Sequence, residues 1–294
     1  MKKRVIFSGV GCALITPFRD GAIDFPTLKE LINIQIDSGT DAIIIGGTTG
    51  ECATLSDDER YRLFSFSRAE IGNRCKLIFG TGTNDTRAAI RHTMLASRIG
   101  CDGTLAVTPY YNKGTEDGIV KHYLQIAEAS TVPVLLYNVP SRTGVNLSLE
   151  TLMSLSQHEN IVGIKEASDS LDRYISLAAL SDTLSLYAGN DSQIYTTLSL
   201  YGKGVISVMA NLYPRQTRDI YTRYVRGDRE GSLGEQTRAL PLIKSLFLET
   251  NPAPIKYAMS RIGLCSGELR LPLSEVSSAT KRYIDREMAA FEAL

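Results

Sequence analysis

Residues 160–190 read NIVGIKEASDSLDRYISLAALSDTLSLYAGN. Within this stretch, VGIKEAS is a short apolar run that ends in polar residues, residues 170–180 carry apolar side chains three and four positions apart, and LSLYAGN is a second apolar run. Short apolar runs predict buried strands, and the spacing between them predicts an amphipathic helix. The stretch therefore predicts one strand–helix–strand unit of a parallel α/β fold.

The same pattern repeats along most of the chain. The other candidate strands are CALITPF, AIIIG, KLIFG, GTLAVTP, PVLLYNVP and GVISV. Helical spacing recurs in segments such as residues 26–38, 57–70, 86–98, 117–130, 148–157 and 191–201, and an eighth predicted helix ends near residue 228. Doubly wound sheets usually contain fewer strands, whereas eight strand–helix units of about 25 residues each fit a closed barrel. We therefore expect an α/β protein with a (β/α)8 TIM barrel over residues 1–228.

The strand pattern stops near residue 228. The remaining segments GSLGEQTRALPLIKSLFLE, NPAPIKYAMSRIG and PLSEVSSATKRYIDREMAAFEA have helical spacing and are bounded by glycine and proline. Glycine and proline are typical of helix ends, so this part of the chain predicts three helices. We expect residues 229–294 to form a small C-terminal helical domain.

The composition favours a small-molecule partner. Thirty-two Lys and Arg residues balance thirty-two Asp and Glu residues, so the formal net charge is zero. This balance gives no reason to expect nucleic acid or an anionic membrane surface as a partner. No segment approaches the ~18 uninterrupted apolar residues of a membrane span, and Gly9 and Gly11 interrupt the apolar run that would make the N-terminus a signal peptide.

The cysteine pattern indicates a reducing compartment. The chain has five cysteines, an odd number, and they are scattered without any C-x-x-C spacing. Such a pattern favours reduced thiols over a disulfide framework or a zinc site, so we expect a cytoplasmic protein.

Polar and aromatic residues cluster at the carboxyl ends of the predicted strands. In a (β/α)8 barrel these ends meet at one mouth, where functional groups lie. Lys165 ends the sixth predicted strand, and the residues that follow strands two, four and five are Thr48, Thr49, Tyr110, Tyr111, Tyr137 and Arg142. Each also has an ordinary structural explanation, because strand-end lysines are commonly solvated and tyrosines beside strands mostly pack.

These residue types together suit carbonyl chemistry. Burial disfavours the charged form of a lysine, and a free amine such as that of Lys165 can then attack a carbonyl to form a Schiff base. Tyr137, Thr49 and Tyr111 have hydroxyls that could carry the necessary protons. The hydroxyls and backbone N–H groups of GTTGE suit a substrate carboxylate. The iminium can serve as the electron sink, so we expect no metal and no cofactor.

Two other signals point away from metal and nucleotide chemistry. FGTGTND offers G-x-G but has Asp85 where a dinucleotide fingerprint would place its last glycine. The three histidines lie on separate predicted helices without metal-ligand spacing: His92, His122 and His158.

The motifs GGTTGE, VTPYYNK, YNVPSRTG, GIKEAS, YAGND, GVISVMAN and ETNPAPIK occur in this order across nearly the whole chain. The chain thereby resembles the dihydrodipicolinate synthase family, within the pyruvate-dependent class I aldolase superfamily that also contains N-acetylneuraminate lyase. GGTTGE, YNVP and the strand-six lysine mark the superfamily, whereas Arg142 in SRTG and the ETNPAPIK segment point to the synthase family.

The resemblance implies roles for individual residues. It implies that Lys165 forms an imine with pyruvate, that Thr48 and Thr49 hold the pyruvate carboxylate, and that Tyr137 is the general acid/base. A proton relay would run from Tyr137 through the Thr49 hydroxyl to Tyr111, which the neighbouring subunit contributes.

The resemblance also implies the second substrate and the assembly. Arg142 would bind the carboxylate of L-aspartate 4-semialdehyde in a condensation that serves lysine and diaminopimelate biosynthesis. Ile206 would face the pyruvate pocket through its backbone carbonyl, and Gly189 would belong to the same mouth. The expected assembly is a homotetramer built as a dimer of dimers.

Two alternatives remain open from the sequence. One is a sibling aldolase, such as N-acetylneuraminate lyase or a 2-keto-3-deoxy sugar acid aldolase, against which Arg142 argues. The other is a non-catalytic keto-acid sensor, which would require Lys165 to be inert.

Two departures from the family pattern bear on loops and regulation. Gly114 stands where many relatives have proline, in the loop after Tyr111. Lysine-inhibited relatives carry two histidines, an asparagine and a glutamate at positions that here hold Asp57, Arg60, Asn84 and Ala88. Ala88 removes the carboxylate that would pair with the α-ammonium group of lysine, so we expect L-lysine to inhibit weakly or not at all.

Overall fold

Eight parallel strands form a closed barrel in the computed structural model, which describes residues 3–293. The outermost residues of the two predicted domains therefore lie outside the described part of the chain. The strands, labelled β1 to β8 in chain order, are Gly9–Ala13, Ala42–Ile45, Lys76–Gly80, Gly103–Val107, Val134–Asn138, Ile161–Glu166, Ser185–Ala188 and Gly204–Ser207. The predicted (β/α)8 TIM barrel is confirmed.

A helix follows each strand. Helices α1 to α8 are Phe25–Asp37, Asp57–Ile71, Thr86–Ile99, Glu116–Glu128, Leu149–Leu155, Leu171–Ala178, Ile194–Ser199 and Pro214–Val225. Short elements interrupt the alternation. A two-stranded hairpin of Phe18–Arg19 and Ala22–Ile23 precedes α1, and a single helical turn, Pro140–Thr143, precedes α5. Short 3-10 helices, Cys52–Thr54, Asp191–Gln193 and Met209–Asn211, precede α2, α7 and α8. Within residues 3–293, no helix combines the length and the apolar character needed to cross a membrane.

The barrel closes where β1 pairs with both β2 and β8. Gly9 and Gly204 are register partners at this seam, and their φ angles are 120° and 153°. A Cβ atom on Gly204 would lie 1.8 Å from the carbonyl oxygen of Gly9, so only glycine allows the two strands to approach this closely.

A bulge in β6 sets the direction of its last side chains. Val134 pairs with Ile161 but Leu135 pairs with Gly163, which leaves Val162 as the extra residue. A bulge changes which face the following residues occupy. As a result, Lys165 lies on the interior side, level with Tyr137 of β5.

Three helices follow the barrel, as predicted. They are α9, Arg229–Ser245, α10, Ala253–Arg261, and α11, Ser278–Glu292. Apolar residues of all three, including Leu242, Ile255 and Ile284, belong to one cluster with Val10 and Val205 of the barrel. The first of these helices packs mainly against α8, the last helix of the barrel. We propose residue 228 as the boundary because it caps the N-terminus of α9.

Candidate active site

Lys165 lies at the carboxyl end of β6, inside the barrel. It pairs in register with Tyr137 of β5 and Tyr187 of β7, so three side chains stand side by side at one level. The residue is only 5% exposed, and its Nζ lies 4.2 Å from the centre of the Tyr137 ring. Within residues 3–293 the amine has neither a hydrogen-bond acceptor nor an acidic side chain within ion-pair distance, so its nitrogen is free for a substrate carbonyl.

The Tyr187 side chain reaches from beside Lys165 to Phe7, which precedes β1. The Tyr187 ring stacks on Phe7 with 4.5 Å between ring centres, and its hydroxyl donates to the Phe7 carbonyl at 2.6 Å. Burial raises the pKa of the Tyr187 hydroxyl, which therefore stays protonated.

The turn that carries Thr48 and Thr49 follows β2. It is closed by hydrogen bonds from Gly50 N to Gly47 O at 3.1 Å and from Glu51 N to Thr48 O at 3.0 Å. Within the described chain, the N–H groups of Thr48 and Thr49 have no hydrogen-bond partner, so they remain available to an anion.

A buried ion pair anchors this turn. Glu51 has a left-handed conformation with φ of 54°, and its carboxylate pairs with the Lys256 amine of α10. Lys256 is 1% exposed and also donates to the Glu268 carbonyl at 2.8 Å. Burial lowers the pKa of the Lys256 amine, and the Glu51 carboxylate opposes this effect. The GGTTGE and ETNPAPIK motifs thus meet in one contact, which the sequence analysis did not foresee.

Asn251 is a second residue that sequence reasoning missed. Its side-chain NH2 group donates to Thr49 Oγ1 at 3.0 Å. Its main-chain carbonyl accepts from Arg142 Nη2 at 3.2 Å. Asn251 is 5% exposed, and its Oδ1 is buried without a hydrogen-bond partner in the described residues. Its position within the quoted ETNPAPIK motif was the available signal. Through Asn251 the structure links Thr49 with Arg142, which is exposed on the Pro140–Thr143 turn.

The predicted hydroxyl relay is not assembled within one chain. No hydrogen bond joins the hydroxyls of Tyr137 and Thr49 among the described residues. Tyr111 is 88% exposed and has a left-handed φ of 71°, so its side chain points away from its own barrel core. The neighbouring Tyr110 is half-buried.

The two remaining predicted residues lie at the mouth. Ile206 of β8 is fully buried in the barrel-interior cluster that also contains Tyr137 and Tyr187. Gly189 follows β7, and its N–H donates to the Glu166 carbonyl at 2.6 Å. The structure therefore brings Lys165, Tyr137 and Ile206 into the barrel interior.

The positions that bear on regulation form contacts of their own. Asp57 pairs with His92 at 3.1 Å, and Arg60 is buried and donates to the Cys52 carbonyl at 3.0 Å. Burial lowers the pKa of the Arg60 guanidinium, which has no acidic partner within ion-pair distance in residues 3–293. Ala88 is half-buried on α3.

The described residues contain no group of three or more His, Cys, Asp or Glu side chains suited to a metal ion. The fold and the contacts around Lys165 define a (β/α)8-barrel protein whose mouth holds a buried amine between two tyrosines, an arrangement suited to attack on a carbonyl.

Comparison with known proteins identifies the family. The model of the dihydrodipicolinate synthetase family matches residues 6–290, and the chain belongs to this family. A 4-hydroxy-tetrahydrodipicolinate synthase of Clostridium novyi (strain NT) is 47% identical over 272 residues, which cover 92% of each chain.

Solved structures agree with this assignment. A dihydrodipicolinate synthase of Thermotoga maritima superposes with a TM-score of 0.96 at 37% identity, covering 99% of this chain and 100% of the other. One from Acinetobacter baumannii, solved in complex with pyruvate, superposes with a TM-score of 0.95 at 36% identity, covering 98% and 100%.

Proposed function

We propose that this chain is a 4-hydroxy-tetrahydrodipicolinate synthase, which condenses pyruvate with L-aspartate 4-semialdehyde in lysine and diaminopimelate biosynthesis. The observation that carries the proposal is the unpaired, buried amine of Lys165, 4.2 Å from the Tyr137 ring centre, in a chain of this family. Relatives that bear the synthase name cover more than nine-tenths of the chain.

The chemistry begins at Lys165. Its Nζ attacks the keto carbon of pyruvate, the resulting carbinolamine loses water, and the iminium that forms withdraws electrons from the adjacent methyl group. Loss of a methyl proton gives an enamine, which attacks the aldehyde carbon of the second substrate. Tyr137, whose ring centre lies 4.2 Å from the amine, carries protons in these steps.

Two groups of residues hold the substrates. The unpaired N–H groups of Thr48 and Thr49 bind the pyruvate carboxylate, and the Glu51–Lys256 pair fixes their turn. Arg142 binds the carboxylate of L-aspartate 4-semialdehyde, for which its planar guanidinium suits a paired contact. Ile206 and Gly189 complete the mouth.

The assembly completes the site. A tyrosine that is 88% exposed and held at φ of 71° is suited to project into a neighbouring subunit, so we propose that Tyr111 reaches the partner's Thr49 in a dimer within a homotetramer. Mixing inactive Lys165→Ala protein with inactive Tyr111→Phe protein tests this, because one site of each hybrid dimer carries both native residues. Restored activity is expected. No recovery after verified subunit exchange would show that Tyr111 acts within its own chain.

The cysteines support a cytoplasmic location. All five cysteines are free in the structure, and buried thiols such as Cys12 and Cys101 persist reduced in a reducing compartment. This supports the cytoplasm as the place of action.

A substrate comparison tests the function. The protein is assayed with pyruvate plus L-aspartate 4-semialdehyde, and separately for cleavage of N-acetylneuraminate and of 2-keto-3-deoxy sugar acids. We expect turnover only in the condensation. Efficient cleavage of a sugar acid without condensation would assign the chain to a sibling aldolase activity, and no turnover in any assay would favour a keto-acid sensor.

A further inference from the structure

Glu166 directly follows Lys165 and is completely buried. Successive residues of a strand point to opposite faces, so its side chain lies behind the barrel wall while Lys165 faces the interior. Asn138 and Glu166 are register partners, next to the pair formed by Tyr137 and Lys165. The Asn138–Glu166 pair thus lies on the outer face of the two strands whose inner face carries Tyr137 and Lys165.

The Glu166 carboxylate collects hydrogen bonds from three directions. The Asn138 side-chain amide donates to its two oxygens at 2.9 and 3.0 Å, and the Ser168 N–H donates at 2.9 Å. Arg173 of α6, whose side chain is 10% exposed, donates through Nε at 2.8 Å. A carboxylate can accept all of these bonds because it has no proton to donate.

The main chain of Glu166 adds two more connections. Its carbonyl accepts from the Gly189 N–H and from the Tyr174 hydroxyl, both at 2.6 Å. A Cβ atom on Gly189 would lie 2.6 Å from the same carbonyl oxygen, so glycine is needed for this approach. One residue therefore joins the carboxyl ends of β5, β6 and β7 to α6.

We infer that Glu166 is a positioning residue for the reaction, because it fixes the ends of three neighbouring strands. It thereby holds the Lys165 amine at the Tyr137 ring and holds Gly189 at the mouth. The inference rests on the proposed imine chemistry at Lys165. A displacement on the order of 1 Å of a reacting group can lower a rate about 100-fold. A side chain that sets the register beside the amine therefore controls the rate of imine formation.

Glu166→Gln tests the inference with a side chain of nearly equal size. The amide has one oxygen and one NH2 group, so it places a donor against Asn138, Ser168 or Arg173. The measurement is the pseudo-first-order rate constant for borohydride trapping of pyruvate on Lys165, expressed per folded molecule. We expect this rate constant to fall roughly 10- to 100-fold, with a changed pH profile, because the position of the amine changes rather than the folded fraction.

Asp102→Asn is the matched control. Asp102 likewise links neighbouring strands, since it accepts from Leu77 N at 3.0 Å and from Lys76 Nζ at 2.8 Å. It lies at the amino ends of the strands, where a barrel residue serves stability. This variant should lose stability but keep the trapping rate constant and pH profile of the unchanged protein.

The outcomes separate the inference from the proposed function. Trapping in Glu166→Gln at the unchanged rate, or an equal decrease in Asp102→Asn, would overturn the positioning role. If Glu166→Gln does not fold, Arg173→Lys replaces it, which retains a cation but loses the Nε contact; a decreased rate constant is expected, and an unchanged one overturns the inference. Absence of any adduct in the unchanged protein would refute the proposed function instead.

Discussion

Lys256→Met isolates the ion pair that joins the C-terminal helices to the Thr48–Thr49 turn. Lys256 and Glu51 are 1% and 3% exposed, and methionine retains most of the apolar side chain beside Phe18 while removing the charge. Among the described residues, the change leaves the buried Glu51 carboxylate with a single hydrogen-bond donor, the Arg270 N–H at 3.1 Å. Removing one partner of a buried pair typically costs about 3–5 kcal/mol, which is the expected decrease in the free energy of unfolding.

The double variant Glu51→Gln/Lys256→Met gives the contrasting result. It removes both charges together, and such neutral replacements of buried pairs are often close to neutral, so we expect a loss of less than about 2 kcal/mol. The two single changes should therefore be strongly non-additive. A functional consequence should accompany the Lys256→Met change: the KM for pyruvate should rise because the turn proposed to hold the pyruvate carboxylate loses its anchor.

The assay is urea unfolding at one fixed protein concentration, since subunit association contributes to apparent stability. The chain has no tryptophan and fourteen tyrosines, so far-UV circular dichroism and tyrosine fluorescence are the suitable signals. A loss below about 1 kcal/mol for Lys256→Met, or a double variant as unstable as the sum of both singles, would refute the reasoning that this pair is a buried, mutually dependent unit.

Four further predictions follow from single sites. Tyr137→Phe should fold normally while turnover falls by roughly 10²–10⁴, and near-normal turnover would reassign the proton carrier. Arg142→Ala should raise the KM for L-aspartate 4-semialdehyde and leave imine formation with pyruvate intact; equal loss of both steps would make Arg142 structural. Because Ala88 supplies no carboxylate, a titration of L-lysine against initial rate should show weak or no inhibition, and strong inhibition at sub-millimolar lysine would contradict this. Burial lowers the pKa of His122 from 6.5 to about 4. As the pH drops between these two values, the unfolded chain takes up the proton first, so the free energy of unfolding falls by roughly 3 kcal/mol. His122→Gln should remove this part of the pH dependence of urea unfolding, and an unchanged dependence would contradict the assignment.

The fold was predictable because strand and helix periods alternate so regularly, but two details of the barrel were not. The predicted first strand began at Cys12, whereas β1 is Gly9–Ala13. Glycine usually weakens a strand, so the local sequence argued against a strand at Gly9. The folded barrel nevertheless requires glycine there, because Gly9 and Gly204 approach closely at the seam. The bulge at Val162 likewise has no local signature in an apolar run.

The candidate site was predictable where residues stand at strand ends. Lys165, Tyr137 and Ile206 come together because parallel strands place their carboxyl ends at one mouth. The partners of the Thr48–Thr49 turn were not found, because Asn251 contacts Thr49 from 202 positions away and Lys256 contacts Glu51 from 205 positions away. No spacing rule reaches across such distances, so these contacts needed the folded structure.

The most direct measurement of the central claim is borohydride reduction in the presence of pyruvate, followed by peptide mapping. Lys165 is a buried amine with no acidic side chain within ion-pair distance in residues 3–293, so reduction should attach a three-carbon adduct irreversibly to Lys165 and inactivate the protein. Lys165→Arg is the matched control and should give no adduct. An adduct on another lysine, or none in the unchanged protein, would contradict the account.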